Sequence, residues 1–177
     1  MKLGFTGTRF SMTKAQAATF RLFMQERRPE ELHHGCCIGA DAQAGLICRE
    51  LLPDTRIVLH PPLDSSLVES CSGDEVREKL THFARNRAIV EEADFVVGTP
   101  RDAKEQPEGG TWYTMRYAAQ NGKPVCVIWP NGTFSLDWQP APKLQKIKLK
   151  LTKKDRERAE AIAEEIERDA DHLELYP

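Results

Sequence analysis

The sequence has no long hydrophobic run, no excess of basic residues and no regular spacing of cysteines. Its first residues reach polar side chains and Arg9 almost at once, so they do not form the apolar core of a signal peptide, and no later run approaches membrane-spanning length. The formal net charge of -2 gives no general attraction to nucleic acid or acidic lipid. These absences predict a soluble cytoplasmic protein with no membrane partner, and they argue against nucleic acid as a partner.

The five cysteines are an odd number without a framework spacing, which favours reduced thiols over a disulfide scaffold. His33 and His34 lie beside Cys36 and Cys37, which are residue types that zinc uses. However, the pairs are adjacent instead of being spaced by a turn, and no second Cys/His pair follows. We therefore expect neither a bound metal nor another cofactor.

With 177 residues, the chain has room for one domain and a terminal appendage. Short apolar segments alternate with amphipathic ones. Strands are predicted at 2–6, in the segment leading into Gly35, and at 56–60, 94–99 and 123–129. Helices are predicted from Thr13, as the N-terminal cap, to about Arg28, from Ala42 to Leu51, over 75–93 with a break near 83–86, and after Gly110. This alternation predicts an α/β, Rossmann-like three-layer sandwich with a mostly parallel sheet.

The predicted domain covers residues 1–139, and residues 140–177 differ in composition. Charged and apolar side chains alternate over 144–151, as in a half-exposed edge strand whose lysines discourage further pairing. Residues 152–155 resemble a capping box that opens an amphipathic helix. We expect this strand and helix to pack on the same domain or to pair with another chain.

Glycine-rich and polar turns follow the predicted strands, and the carboxyl ends of parallel strands meet at one edge of a sheet. Gly109, Gly110 and Thr111 open a helix whose backbone N–H groups can approach a phosphate closely. Arg9 follows the first strand and can hold an anion with a bidentate fork, or it can form a surface salt bridge. The pair Arg85-Asn86 either contacts a phosphorylated ligand or belongs to a solvated helix face.

Asp41 and Glu108 are the acidic residues nearest to these turns. Asp41 fits the first turn of a helix equally well as a structural acid, and Glu108 fits a solvated loop. Trp112, Tyr113 and Tyr117 supply aromatic area that could stack a base or belong to the core. The sequence contains no serine nucleophile elbow, Walker loop or HExxH motif, and no convincing nucleophile-base pair.

Four segments in order, Gly7-Thr8-Arg9, 34–41, 85–90 and 109–111, resemble the motifs of the SLOG superfamily. This superfamily joins the DNA-processing (Smf) recombination mediators to the Lonely-guy phosphoribohydrolases. The resemblance spans about residues 1–130 and is greatest to small stand-alone members of phages and bacteria. It implies a Rossmann-like domain that binds nucleotides or nucleotide-derived ligands, often as a dimer. By position, the ligand-binding candidates are Thr8, Arg9, Gly35, Gly39, Asp41, Arg85, Asn86, Gly109, Gly110 and Thr111.

The sequence departs from the phosphoribohydrolase pattern at its catalytic position. The family resemblance places a catalytic glutamate three residues after the threonine of the glycine turn, where this chain has Thr114, and Glu108 replaces a glycine. Hydrolysis at ribose therefore lacks its obvious stabilising carboxylate unless Glu108 or Asp41 supplies one. The leading hypothesis is a nucleotide-binding protein. The alternatives are an N-glycosidase that acts on nucleoside monophosphates and a single-stranded DNA-binding protein, the latter supported only by the lysines of 143–150.

Overall fold

A computed structural model describes residues 1–64, 66, 68 and 71–141 of the chain. Strands and helices alternate along these residues. The strands are β1 (Lys2–Gly7), β2 (Glu31–His34), β3 (Arg56–Leu59), β4 (Glu75–Val76), β5 (Phe95–Thr99), β6 (Val125–Ile128) and β7 (Phe134–Ser135). The helices are α1 (Lys14–Arg27), α2 (Ala40–Leu51), α3 (His82–Glu92) and α4 (Gly110–Gln120). None of the described helices is both long and apolar enough to cross a membrane.

The strands form one sheet in the order β4-β3-β2-β1-β5-β6-β7. All neighbouring strands are parallel except β6 and β7, which are antiparallel. Leu3 of β1 pairs with Leu32 of β2 on one side and with Phe95 of β5 on the other. The chain first winds outward from β1 to β4 and then returns to β5, so the switch point of this sheet lies between β1 and β5. The predicted α/β architecture with a mostly parallel sheet is confirmed.

Helices cover both faces of the sheet. Helices α1 and α2 pack on one face, where Leu3, Phe5 and Phe20 belong to one buried cluster. Helices α3 and α4 pack on the other face, where Val96 and Met115 belong to a second cluster. Because successive residues of a strand point to opposite faces, a central parallel strand needs apolar or small residues at nearly every position. The apolar strands of this sequence meet that requirement.

Helix α1 begins and ends with residues that satisfy its free backbone groups. The Thr13 side chain accepts a hydrogen bond from the Gln16 backbone, and the Gln16 side chain accepts one from the Thr13 backbone. Arg28 adopts the left-handed conformation at φ 44° and its N–H bonds to the Met24 carbonyl. These contacts form a capping box and an αL end. Thr13 is the cap that the sequence predicted.

The prediction of a helix over 75–93 is wrong in its first part. Glu75 and Val76 instead form β4, which pairs with β3 at the edge of the sheet. Side chains of this segment form ion pairs, among them one between Arg77 and Glu92 at 2.6 Å. The helix itself begins at His82 and continues without a break through residues 83–86.

The predicted edge strand at 144–151 and the helix that follows it lie outside the described residues. The division of the chain near residue 139 therefore stays a prediction. Strand β7, which the sequence analysis did not anticipate, is a two-residue strand formed by the turn after β6.

Candidate functional site

A cavity of about 650 Å³ lies at the carboxyl edge of the sheet, beside β1 and β5. Five segments reach it: the turns after β1, β2 and β5, the first turns of α3, and the start of α4. Such a position, at the switch point of an open parallel sheet, is where these folds usually bind ligands. Eight predicted ligand residues line the cavity, namely Thr8, Arg9, Asp41, Arg85, Asn86, Gly109, Gly110 and Thr111.

The end of β1 brings four elements together. A Cβ atom at Gly7 would lie only 2.4 Å from the Ala40 Cβ atom and 2.7 Å from the Thr99 hydroxyl oxygen. The Thr111 hydroxyl donates to the Gly7 carbonyl at 2.7 Å, and the Ala40 N–H donates to the Thr8 carbonyl at 3.1 Å. The missing side chain at residue 7 therefore makes room for Ala40 of α2 and Thr99 of β5, and the Thr111 hydroxyl links α4 to the same residue at the floor of the cavity.

Gly35 and Gly39 are predicted ligand residues that do not line this cavity. A Cβ atom at Gly35 would lie 1.7 Å from Nη1 of Arg85, so the glycine makes room for the guanidinium group. Gly39 has a φ of +95°, and its Cβ atom would lie 2.2 Å from the Arg9 carbonyl oxygen. Both glycines thus shape the cavity indirectly, through the positions of two arginines.

Asp41 and Arg85 form the buried polar centre of the site. Asp41 is 5% exposed and Arg85 is 8% exposed. The Asp41 Oδ2 atom accepts a hydrogen bond from the Gly35 N–H at 3.1 Å, whereas Nη1 of Arg85 lies 3.9 Å from Oδ2, beyond hydrogen-bond distance. Burial raises the pKa of Asp41 to about 6, although Arg85 and backbone N–H groups partly oppose this rise. Asp41 is therefore a carboxyl group that can hold a proton close to neutral pH.

The Arg85 guanidinium group is only partly satisfied by protein atoms. Its Nη2 atom donates to the Cys37 sulfur at 3.1 Å, and its Nε atom is buried with no hydrogen-bond partner among the described residues. A guanidinium group has five N–H donors, and a buried donor without an acceptor is costly. The guanidinium group is thus suited to bind an anion in the cavity. Arg87, two residues further along, is exposed and does not line the cavity.

The start of α4 adds backbone donors to the cavity. Gly109 precedes the helix with a φ of +107°, and no side chain of residues within the described ranges caps this end. The first N–H groups of a helix have no intrahelical partner and carry the positive end of its dipole. The Thr111 hydroxyl does not cap the helix because it is bonded to the Gly7 carbonyl. A Cβ atom at Gly110 would meet nothing nearer than the Asn86 amide nitrogen at 3.7 Å, so the approach to the backbone here is open.

The rim of the cavity carries charges of both signs. Arg9 and Arg101 are exposed on it, as are Asp102 and Glu108. The predicted catalytic candidates therefore lie in the same cavity but in different surroundings: Asp41 is buried within it, and Glu108 is exposed to solvent beside the glycine turn.

Of the aromatic residues that the sequence suggested near the site, only Trp112 lines the cavity. Trp112 is buried against Trp129 and Trp138, with ring centroids 6.1 and 5.9 Å away. Tyr113 and Tyr117 do not line the cavity and stack on each other at 6.3 Å. Three other side chains on the rim escaped the sequence analysis: Phe10, Phe83 and Arg101. Phe10 and Arg101 lie just after β1 and β5, and this position after a strand was the signal that could have identified them.

Two buried histidines, His33 and His60, belong to a separate polar network. His33 Nδ1 lies 3.0 Å from His60 Nε2 and 3.8 Å from a Glu92 oxygen, and these three ligand atoms are close enough to surround an ion. His33 Nε2 is hydrogen-bonded to Glu31 at 3.0 Å, and Glu92 pairs with Arg77. The protein's own groups therefore satisfy this network. Cys36 and Cys37, which follow His33 and His34 in sequence, make other contacts. The Cys36 N–H donates to His34 Nδ1, and the Cys37 sulfur accepts from Arg85.

No protein-family model and no curated protein matches this chain. Among solved structures, it is similar to the molybdenum cofactor binding protein from the phototrophic bacterium Rippkaea orientalis, with 18% identity and a TM-score of 0.56 over 73% of this chain and 77% of that one. It is also similar to TM1055, a structural genomics target, with 19% identity and a TM-score of 0.52 over 71% of this chain and 72% of that one. These likenesses show a shared fold.

Proposed function

We propose that the chain is a SLOG-like protein whose cavity binds a nucleotide or a nucleotide-derived phosphorylated ligand. The observation that carries this proposal is the buried Arg85 guanidinium group, whose Nε donor has no partner in the described part of the chain and whose nearest carboxylate there, that of Asp41, is 3.9 Å away. Proteins rarely bury an arginine without satisfying it, and Arg85 lines the cavity, where a bound anion would give its guanidinium group an acceptor. A cofactor-binding protein of the same fold supports a small ligand in general terms.

The ligand's phosphate group is proposed to lie between the start of α4 and Arg85. The N–H groups of Gly110 and Thr111 and the dipole of α4 favour negative charge at this place. Arg85 adds a charge-assisted donor from α3, and Arg9 adds a second guanidinium group from the turn after β1. The net charge of the chain does not matter here because these donors act locally.

Isothermal titration calorimetry tests the proposal directly. The wild-type protein should bind one or more members of a panel of mononucleotides, dinucleotides and cyclic ADP-ribose-like compounds. Arg85→Met removes a charge-assisted contact that typically contributes roughly 1.5 to 3 kcal/mol, so binding should weaken by about tenfold or more. Arg21→Met is the matched control, because Arg21 pairs with Glu50 away from the cavity and its loss should leave binding unchanged. Absence of binding by the wild type, or equal binding by the Arg85 variant, contradicts the proposal.

A second function, hydrolysis of the N-glycosidic bond of nucleoside monophosphates, is favoured by one observation. Asp41 is a buried carboxyl group in the cavity whose pKa is raised to about 6, as an acid-base catalyst requires near neutral pH. Incubation with the common monophosphates should then release free base. Asp41→Asn should abolish the release of base if Asp41 is the catalytic acid. Glu108→Gln should abolish it if the exposed Glu108 carboxylate is the catalytic group instead. No release of base by the wild type excludes this function for these substrates.

The remaining expectations belong to the proposal as well. These are a cytoplasmic location and a homodimer. Light scattering tests for the homodimer. Single-stranded DNA binding has no further support, because the lysines of 143–150 lie outside the described residues.

A further inference from the structure

Two phenylalanine side chains are exposed on the rim of the cavity. Phe10 is 60% exposed and Phe83 is 58% exposed, and they come from different elements, the turn after β1 and the first turn of α3. Ile38, from the turn before α2, is a third exposed apolar side chain on the same rim. A single exposed apolar residue is ordinary, but three around one cavity form an apolar surface that a ligand can cover.

Phe10 is held in place and paired with a cation. The Phe10 N–H donates to the Thr8 hydroxyl at 3.2 Å, and the backbone of residues 9 and 10 packs against Gly39, which has no side chain. The Arg101 guanidinium carbon lies 4.6 Å from the centroid of the Phe10 ring. This distance is typical of a cation–π contact, and both groups are flat and offer further stacking area. The Phe10–Arg101 pair is thus a preformed platform at the edge of β1 and β5.

The cavity therefore has two chemically different parts. Its inner part presents Arg85, Asn86 and the N–H groups at the start of α4, which suit an anion. Its rim presents the Phe10–Arg101 pair and Phe83, which suit a flat apolar group. A volume of about 650 Å³ is within the range of sites for small molecules and cofactors. A ligand that fills both parts must carry a phosphate at one end and a planar ring at the other.

We propose that the base of the ligand stacks on the Phe10–Arg101 pair, and that this pair gives the cavity its preference for nucleotides over phosphorylated sugars without a base. This inference rests on the proposed phosphate site and adds to it the group that determines specificity. Aromatic side chains and guanidinium planes stack on any nucleobase because every base has a π face. Selection between bases then requires other contacts.

The test compares a ligand with the base and a ligand without it. Calorimetry measures the binding of AMP and of ribose 5-phosphate to the wild type, to Phe10→Ala and to Arg101→Lys. Stacking on one aromatic side chain is worth roughly 5- to 150-fold in affinity, so Phe10→Ala should reduce the affinity for AMP by this factor and leave the affinity for ribose 5-phosphate unchanged. Arg101→Lys keeps the positive charge but removes the planar guanidinium group. It should also reduce the affinity for AMP more than the affinity for ribose 5-phosphate.

Phe134→Ala is the matched control. Phe134 is a phenylalanine of β7 with 58% exposure, equal to that of Phe83, and it does not line the cavity. Its replacement should change neither affinity. Thermal unfolding of each variant shows whether the fold is kept, which the exposure of Phe10 leads us to expect.

The outcomes separate this inference from the proposed function. If the wild type binds ribose 5-phosphate as tightly as AMP, or if Phe10→Ala weakens both ligands equally or neither, the stacking inference is overturned. The phosphate site still stands in these cases, provided that Arg85→Met weakens both ligands. If the wild type binds no phosphorylated compound, the phosphate site and the stacking inference fail together.

Discussion

Replacing Asp41 by asparagine should change how the stability of the protein depends on pH. Asp41 is 5% exposed, and burial raises its pKa from 3.8 to about 6 in the folded protein. Because the folded protein holds this proton more tightly than the unfolded chain does, the resulting stability is fully present below the unfolded pKa of 3.8 and is lost as the pH rises through about 6. The separation of the two pKa values corresponds to about 3 kcal/mol of unfolding free energy.

Urea unfolding of the wild type and of Asp41→Asn over a pH series measures this effect. Asparagine cannot ionise, so the stability of the variant relative to the wild type should increase by up to about 3 kcal/mol between about pH 4 and about pH 7. The amide will not match the hydrogen bonds of the carboxylate, but this cost is constant and drops out when only the change with pH is used. The buried histidines titrate in both proteins, so their contributions also cancel.

A difference that stays constant with pH would refute the reasoning. It would mean that Arg85, at 3.9 Å from the Asp41 oxygen, compensates the buried carboxylate completely. A difference of the opposite sign would mean that attraction to Arg85 outweighs the loss of hydration, so that the pKa of Asp41 is lowered instead. Either result would also remove the reason to consider Asp41 as an acid-base catalyst.

Three further predictions concern the fold and the wall of the cavity. Gly35→Ala places a Cβ atom 1.7 Å from Nη1 of Arg85, so calorimetry should show nucleotide binding weakened by about tenfold or more. Urea unfolding of the same variant should show a free energy of unfolding lower by about 1 to 3 kcal/mol. Burial lowers the pKa of His34 from 6.5 to about 3, so the stability that this neutral histidine contributes above pH 6.5 is lost as the pH falls. His34→Gln cannot be protonated in this range. Its free energy of unfolding should therefore decrease less than that of the wild type between about pH 6.5 and about pH 4. Thr13→Ala removes the α1 cap and should lower the unfolding free energy by about 1 kcal/mol, which thermal unfolding would show as a lower Tm and which a variant of unchanged Tm would contradict.

The sequence predicts a mostly parallel sheet and the edge at which the cavity lies for a simple reason. Short apolar strands followed by glycine turns and helices leave few arrangements other than a parallel sheet, and in a parallel sheet the turns after the strands must gather at one edge. Arg9, Asp41 and the glycine turn at 109–111 could therefore be assigned to one cavity before any coordinates were known.

The finer features depend on long-range packing that a pattern does not contain. Glu75–Val76 is too short for periodicity to distinguish a strand from the start of a helix, and its pairing with β3 decides the outcome. The pairing of Phe10 with Arg101 is not contained in the sequence pattern, because the two residues are far apart along the chain. Likewise, the pKa of Asp41 follows from its burial beside Arg85, which only the packing of α3 against the turn after β2 determines.

Among the described residues, the sheet ends on both sides in a strand of only two residues, β4 and β7. Such short borders expose too little continuous backbone to template a neighbouring chain, and β4 carries a charged side chain as well. Extension of the sheet from one molecule into the next is therefore disfavoured at either border. If two copies associate through the described part of the chain, they should do so by side chains on helices or loops, and deuterium exchange should then report protection on those surfaces while β4 and β7 remain unchanged.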